Sequence, residues 1–309
     1  MINFRYHLVS LTAVFLALTV GLILGTAALN GPAIEAFESN IQSLRDSNEQ
    51  LRSQVEQMEN DLEDDQAFAE AVAPSYLAGQ LTAKNVLVIA LPGADTAYVD
   101  GTVEMLGLAG ATVSGRISVL DEYFDPANAD QLGDLAETTT PDTVTTPVTY
   151  DGVTAMSYVL AAVTTGEAAG ATVAIAPGDI TTVTTGLSEL GMLTVETPPT
   201  GVADGVIILA GPGSTDADAA DRNAGMVAFT NEYAADDPTV YAATTDTGDG
   251  NPLKTIRTDD AETVATVDNV AVLQGQIAAV AALADFINTN TVNHLGTGEG
   301  ASDLLPAAA

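Results

Sequence analysis

No cysteine occurs anywhere in the chain, which removes disulfides, thiolate metal sites and a cysteine nucleophile together. That absence suits an extracytoplasmic location without requiring one. Basic residues are nearly as scarce: eight Lys and Arg stand against 42 Asp and Glu, for a formal charge of −34, and Lys84 and Lys254 are the only lysines. A surface of that sign repels nucleic acid and anionic lipid headgroups, and it favours cations or basic partners. Nucleic acid is therefore excluded as a partner, and adaptation to salt is the plainer account of the same acidity. The two histidines sit near the ends of the chain, His7 and His294, so the folded domain is expected to supply no histidine base. No G-x-S-x-G elbow is present and no carboxylate pair stands out. Methionines fall singly at 1, 58, 105, 156, 192 and 226, whereas a copper(I) site wants clustered Met or Cys. The expectation is a protein without catalytic residues or a resident cofactor, and the residues alone identify no metal site.

What is present begins at Leu8. From there to Leu29 run 22 uncharged residues, about 33 Å as a helix, against a hydrocarbon core of about 30 Å. A cleaved signal peptide is the competing reading. Its apolar region would be shorter, and Gly25-Thr26-Ala27-Ala28-Leu29 fits an A-x-A site only loosely. Arg5 lies before the span; after it, Glu35 and Glu38 precede the first basic residue, Arg45. The positive-inside rule then gives a cytoplasmic amino terminus (1–7), a transmembrane anchor (8–29) and an extracytoplasmic remainder. Ala13, Ala17, Gly21 and Gly25 recur every fourth residue, a small-residue seam of the kind that lets two membrane helices approach. Ala and Gly are also simply common in such helices.

After Asn30-Gly31-Pro32 a heptad pattern sets in. The a positions are Ile34, Ile41, Asn48, Val55 and Leu62, and the d positions Phe37, Leu44, Leu51 and Met58. β-Branched residues at a, Leu or Met at most d positions and one Asn at a favour a parallel two-stranded coiled coil. The predicted stalk covers 32–73, with Gly21, Gly25, Ile41, Leu44, Asn48, Leu51 and Val55 as the dimerisation residues. An amphipathic helix lying on its own globular domain is the alternative, although the narrow a/d stripe suits a coiled coil better. The seam fails at Asp65, and Pro74 is expected to end the helix.

Residues 79–290 read as an α/β domain with a mostly parallel sheet. Asn85–Leu91 and Val206–Ala210 are short continuous apolar runs, as buried parallel strands require. Further strands are expected at 111–120, 172–176, 193–195 and 239–243, alternating with helices at 96–108, 153–163, 180–190, 216–233 and 274–287. A Thr/Pro-rich stretch near 138–150 is the one candidate internal boundary, and 291–309 is expected to be a flexible tail.

Two turns at strand carboxyl ends, Leu91-Pro92-Gly93-Ala94-Asp95 and Ala210-Gly211-Pro212-Gly213-Ser214, resemble phosphate cradles, but neither completes a nucleotide-binding motif. Asp95, Asp216, Asp218 and Asp221 are better explained as helix caps and solvated acids than as ligands of a hard cation. Asp246-Thr247-Gly248-Asp249-Gly250-Asn251 misses the spacing of a calcium loop.

Several separated segments, in order, resemble one family. The opening MINFRYHLVSLTAVFLALTVGLILGTAALNGP (Met1–Pro32) resembles the start of the mycobacterial copper transport protein B (MctB) family of actinobacterial envelope proteins. Asn85-Val86-Leu87-Val88 into Pro92-Gly93-Ala94, Leu108 to Gly115, and Thr266 to Val270 ahead of Gly275-Gln276-Ile277 fit the same family. The resemblance implies an envelope protein that limits intracellular copper, described as a channel-like outer-membrane component, with copper ion as the transported substrate. It transfers no copper-binding residue. The alternative from the residues themselves is a non-transporting dimeric envelope scaffold or interaction protein, partnered by itself, the membrane and other envelope proteins.

Overall fold

The computed structural model describes residues 4–29, 31–146, 151–248 and 250–306, and in it the uncharged run forms one helix, α1 (Phe4–Leu29). Over Phe4–Ala27 it is long and apolar enough to cross a membrane, with a mean hydropathy of 2.4. Its threonine hydroxyls do not stay free. Thr12, Thr19 and Thr26 donate back to the carbonyls of Leu8, Phe15 and Leu22 at 2.7, 2.6 and 2.8 Å, which satisfies them inside the helix's own backbone.

Pro32 opens the second helix, α2 (Pro32–Leu77), where its missing N–H costs nothing. The expected stop at Pro74 does not occur: α2 continues for three more residues. Proline removes one helical hydrogen bond, but Ala73 and Leu77 on this turn are buried at 1 % and 0 % exposure, and that burial holds the turn in place. The chain divides into two compact units between Asp65 and Gln66, so the last three turns of α2 belong to the second unit.

In that unit the elements follow in the order β1 (Asn85–Ala90), α3 (Thr96–Ala109), β2 (Thr112–Val119), α4 (Ala129–Thr139) and α5 (Gly152–Thr165). A two-residue-stranded hairpin comes next, β3 (Glu167–Ala168) with β4 (Ala171–Thr172), and then α6 (Pro177–Glu189), β5 (Leu193–Thr197) and β6 (Gly205–Ala210). The remainder is α7 (Ala219–Ala234), β7 (Thr239–Ala243), α8 (Pro252–Asp259), β8 (Val264–Val267), α9 (Leu273–Thr289) and β9 (His294–Leu295). Local chemistry sets several starts. Asp95 Oδ1 accepts from Ala97 N–H at 2.8 Å, Asp151 Oδ1 from Thr154 N–H at 3.1 Å, and Asn251 Oδ1 from Leu253 N–H at 2.9 Å. The strand expected at 172–176 shrinks to the two residues of β4.

Strand order is β5-β2-β1-β6-β7-β8-β9, parallel throughout except for β5, which joins β2 antiparallel at the edge. Alternation along the strands builds two cores. Leu87 and Ile89 of β1, Val206 and Ile208 of β6, and Tyr241 of β7 pack with α4 to α8. Val86 and Val88, Ile207 and Leu209, and Val240 face the other way onto the end of α2, α3 and α9. β1–α3–β2 and β6–α7–β7 run in opposite directions along the sheet and lie on opposite faces, as right-handed crossovers demand. Strands from before and after 138–150 share this one sheet, so no domain boundary falls there; residues 147–150 lie outside the described ones.

The expectation of a flexible tail is corrected as far as residue 306. β9 extends the sheet beside β8, Leu295 is buried, and Gly296 N–H donates to Asp303 O at 2.9 Å. Its anchor is a buried ion pair described below.

Candidate functional site

In an open α/β sheet the ligand crevice lies outside the strand carboxyl ends where the winding reverses, here between β1 and β6. The loops leaving those strands are the two glycine turns singled out in the sequence. They pack against each other backbone to backbone. A β-carbon added to Gly211 would stand 2.8 Å from Gly93 Cα and collide with the Gly93 carbonyl, and Gly93 itself has φ +78°. Glycine is required at position 211 because the loops touch and at position 93 because of its positive φ, and the two loops meet at the mouth of the crevice. Asn223 closes the second loop further, its amide accepting from Ser214 N–H at 2.8 Å and donating to Ser214 O at 3.2 Å.

Of the acids beyond these loops, Asp95 caps α3 as expected, whereas Asp218, at the start of α7, makes no side-chain cap bond. Asp218 pairs with Arg222 at 2.8 Å, and Arg222 also reaches Asp125 at 3.1 Å. Asp246 accepts from Glu299 N–H at 2.7 Å, and Asn251 caps α8; Asp249 of the same loop lies outside the described residues. Among the described residues no group of three or more His, Cys, Asp or Glu is arranged to hold a metal ion.

Sequence reading missed the most constrained polar cluster. Arg257 Nη1 meets Asp268 Oδ2 at 2.9 Å with both side chains buried, 4 % and 2 % exposed. Asp268 also accepts from the backbone N–H groups of Thr297 and Gly298 at 2.8 and 2.9 Å, and Arg257 donates from Nη2 to Leu295 O at 2.8 Å and from Nε to Thr266 Oγ1 at 2.8 Å. Thr266 Oγ1 lies 2.9 Å from His294 Nδ1, whose other nitrogen lies 3.0 Å from Ala261 O. The network fits a neutral His294 that accepts at Nδ1 and donates at Nε2. Burial, with Arg257 nearby, holds its pKa below the usual histidine value. His294 therefore belongs to the folded unit, contrary to the sequence expectation, with both ring nitrogens engaged in structure. An Arg on α8 and an Asp after β8 have no spacing signature; only the fold brings them together.

At the amino end of the sheet, Asp237 precedes β7 and is 7 % exposed. Burial raises its pKa to about 7; Thr165 opposes this by hydrogen bonding, and Glu167, Asp236 and Asp204 add to it. Beside α6 and the edge strand β5 runs an open groove of about 630 Å³, lined by Ile180, Thr184, Val195, Pro198 and Pro199 among others.

The residues expected to pair chains lie in the first unit. β-Carbons added at Gly21 or Gly25 meet nothing within 4 Å, so nothing inside one chain demands glycine there. On α2, Leu44, Leu51 and Val55 are 70 %, 60 % and 52 % exposed, Asn48 is exposed and Ile41 is half-buried. Asn48, Leu51, Arg52, Val55 and Glu56 together line a shallow concavity of about 340 Å³ on the helix surface.

Comparison with known proteins adds what this geometry does not carry. A family model described as "Copper transport outer membrane protein, MctB" matches residues 1–306, taking in the anchor helix, α2 and the sheet unit. The chain belongs to the MctB family. Among curated relatives, the copper transporter MctB of Mycobacterium tuberculosis H37Rv is 26 % identical over 98 % of this chain and 99 % of the relative, and that of Mycobacterium bovis matches equally. The copper transporter MctB of Mycobacterium leprae is 25 % identical over the same shares of the two chains. The MctB match thus extends over both units. Of the methionines among the described residues, Met58 is exposed on α2, Met156, Met192 and Met226 are buried in one core, and Met105 is buried in the other.

Proposed function

We propose that this MctB-family chain is a membrane-anchored envelope protein of copper homeostasis that lowers intracellular copper, with the copper ion as cargo. The observation that carries the reading is the family match from residue 1 to 306, which leaves neither unit unaccounted for. α1 is the anchor, its amino terminus in the cytoplasm beside Arg5 and the acidic remainder outside. Gly21 and Gly25, with Ala13 and Ala17, give the anchor a narrow face on which another membrane helix can pack closely. No catalytic step belongs to this reading. The contact of Gly93 with Gly211, where an α/β enzyme would bind substrate, favours that view. The same loop contact, with methionines that fall singly along the sequence, favours a second reading in which the chain is an envelope scaffold that supports a separate copper-moving protein.

Cytoplasmic copper under copper load tests the proposal. A strain lacking the chain accumulates more copper than its parent, and the full chain restores the lower level; unchanged copper contradicts the proposal. Cross-linking that captures no envelope protein other than the chain itself counts against the scaffold.

A further inference from the structure

The apolar stripe of α2 ends where the first unit ends. Ile34, Phe37, Leu44, Leu51, Val55, Met58 and Leu62 are each between 46 % and 70 % exposed, and the pattern breaks at Asp65, the last residue of that unit. Water would cover four heptads of Leu, Ile and Phe on this face, so a partner is required. Two observations identify it, and a third permits it.

The first is the concavity on the stripe. Four of its five lining residues, Asn48, Leu51, Arg52 and Val55, stand at a, d, e and the following a, that is at i, i+3, i+4 and i+7, and the fifth, Glu56, is the b position beside them. Those four positions form the hole that receives a d-position knob in a two-stranded coiled coil. The knob that reaches it in an in-register parallel pair is Leu51 of a second copy.

The second is Asn48. Its amide both donates and accepts, and in a parallel pair the a layers face each other, so Asn48 meets Asn48 of the other copy and both are satisfied. An antiparallel pair sets a against d, which puts Asn48 against a leucine with its amide unpaired in an apolar seam, a costly arrangement. The third is charge. Parallel register sets g against the following e of the other copy: Asn40 with Arg45, Ser47 with Arg52, Gln54 with Glu59. Each pair carries at most one charge, so no like charges are forced together. A common membrane also presents two anchored chains side by side and in the same sense, which raises their effective concentration.

We infer that residues 34–62 of α2 are an interaction surface for a second copy of this chain, forming a parallel, in-register two-stranded coiled coil with Leu51 as knob and Asn48 as its polar layer. The inference stands apart from the copper reading, since no step of it involves the metal.

The missing cysteines make the test direct. In the full chain reconstituted in nanodiscs or detergent, single substitutions Phe37→Cys and Met58→Cys, both at d and three heptads apart, are each oxidised mildly and compared with Ser53→Cys on the outer face. Both d variants give covalent dimer several-fold faster than Ser53→Cys. No excess over Ser53→Cys overturns the proposal. Cross-linking only when Phe37→Cys and Leu62→Cys chains are mixed, a d position with the a position it meets when Asn48 opposes Leu51 head to tail, with neither reacting alone, shows antiparallel pairing and overturns it as well. Asn48→Leu keeps the helices associated but spreads the species from dimer to higher oligomers in light scattering; a chain that stays monomeric in both forms contradicts the surface, and an unchanged single dimer contradicts the Asn48 layer.

Discussion

α2 carries two apolar stripes along one continuous helix. Between residues 34 and 62 the spacing is heptad and the side chains are exposed; from Ala69 through Ala73 to Leu77 the spacing is four and the side chains are buried, at 5 %, 1 % and 0 %. The alternating three- and four-residue step of the first makes a narrow seam, as a second helix wants. The shorter stripe of two alanines and a leucine makes a close-fitting ledge for a helix lying on a sheet unit. The same residue chemistry thus takes different partners according to spacing and side-chain size. The second unit is completed within the chain, whereas the first is completed by a membrane and, in our proposal, by a second copy.

That contrast can be broken from either side. The largest effect is expected in the second unit, from Arg257→Ala. It leaves Asp268 charged and buried without its partner, at a cost of about 3–5 kcal/mol. Chemical denaturation registers the loss, with early hydrogen exchange in residues 291–306, while dimer formation through α2 is untouched. Leu77→Ala comes next, at about 2–5 kcal/mol for a fully buried leucine, and again lowers the denaturation midpoint of the sheet unit.

Asp237 sharpens the comparison through pH. Its folded-state pKa is raised to about 7 from 3.8, so its stabilising contribution is fully present below pH 3.8, declines as pH rises, and is lost above about pH 7. Asp237→Asn removes that decline. The variant is expected to match the parent near pH 4 and to exceed it at pH 8 by roughly 1–3 kcal/mol in urea unfolding. Equal stability of the two proteins at pH 8 contradicts the burial argument. Smallest is the effect of Leu51→Ala on the sheet unit, whose midpoint stays within about 0.5 kcal/mol of the parent, although dimerisation of the full chain weakens. A large loss in that unit would mean that the two stripes are not independent.

Much of this architecture was legible because it is written locally. The uncharged run gave α1, the heptads gave the exposed face of α2, and NVLVIA, VIILA and the Ala-rich run at 274–287 gave the middle strands and α9. Even the Thr-rich α6 was found, and its threonines turn out to bond back onto the helix: Thr181, Thr182 and Thr184 donate to the carbonyls four residues earlier at 2.9, 2.8 and 2.7 Å. What escaped was non-local. VATV of β8 is too short and small to stand out, and β9 is held by partners distant in sequence, Arg257 at Leu295 O and Asp268 at the N–H groups of Thr297 and Gly298. His294 was misplaced for the same reason. Pro74 misled because a local rule about one lost hydrogen bond was outweighed by burial on the same turn. The glycine loops are legible as turns at strand carboxyl ends, but only the three-dimensional approach of Gly93 to Gly211 reveals that they touch there.

The contrast within α2 has a direct measurement: hydrogen exchange of the full chain in detergent, followed over a dilution series. Our account predicts that protection of residues 34–62 falls as the protein is diluted, while protection of residues 69–77 stays constant. Protection that falls in both segments together, or that is independent of concentration in both, would contradict it.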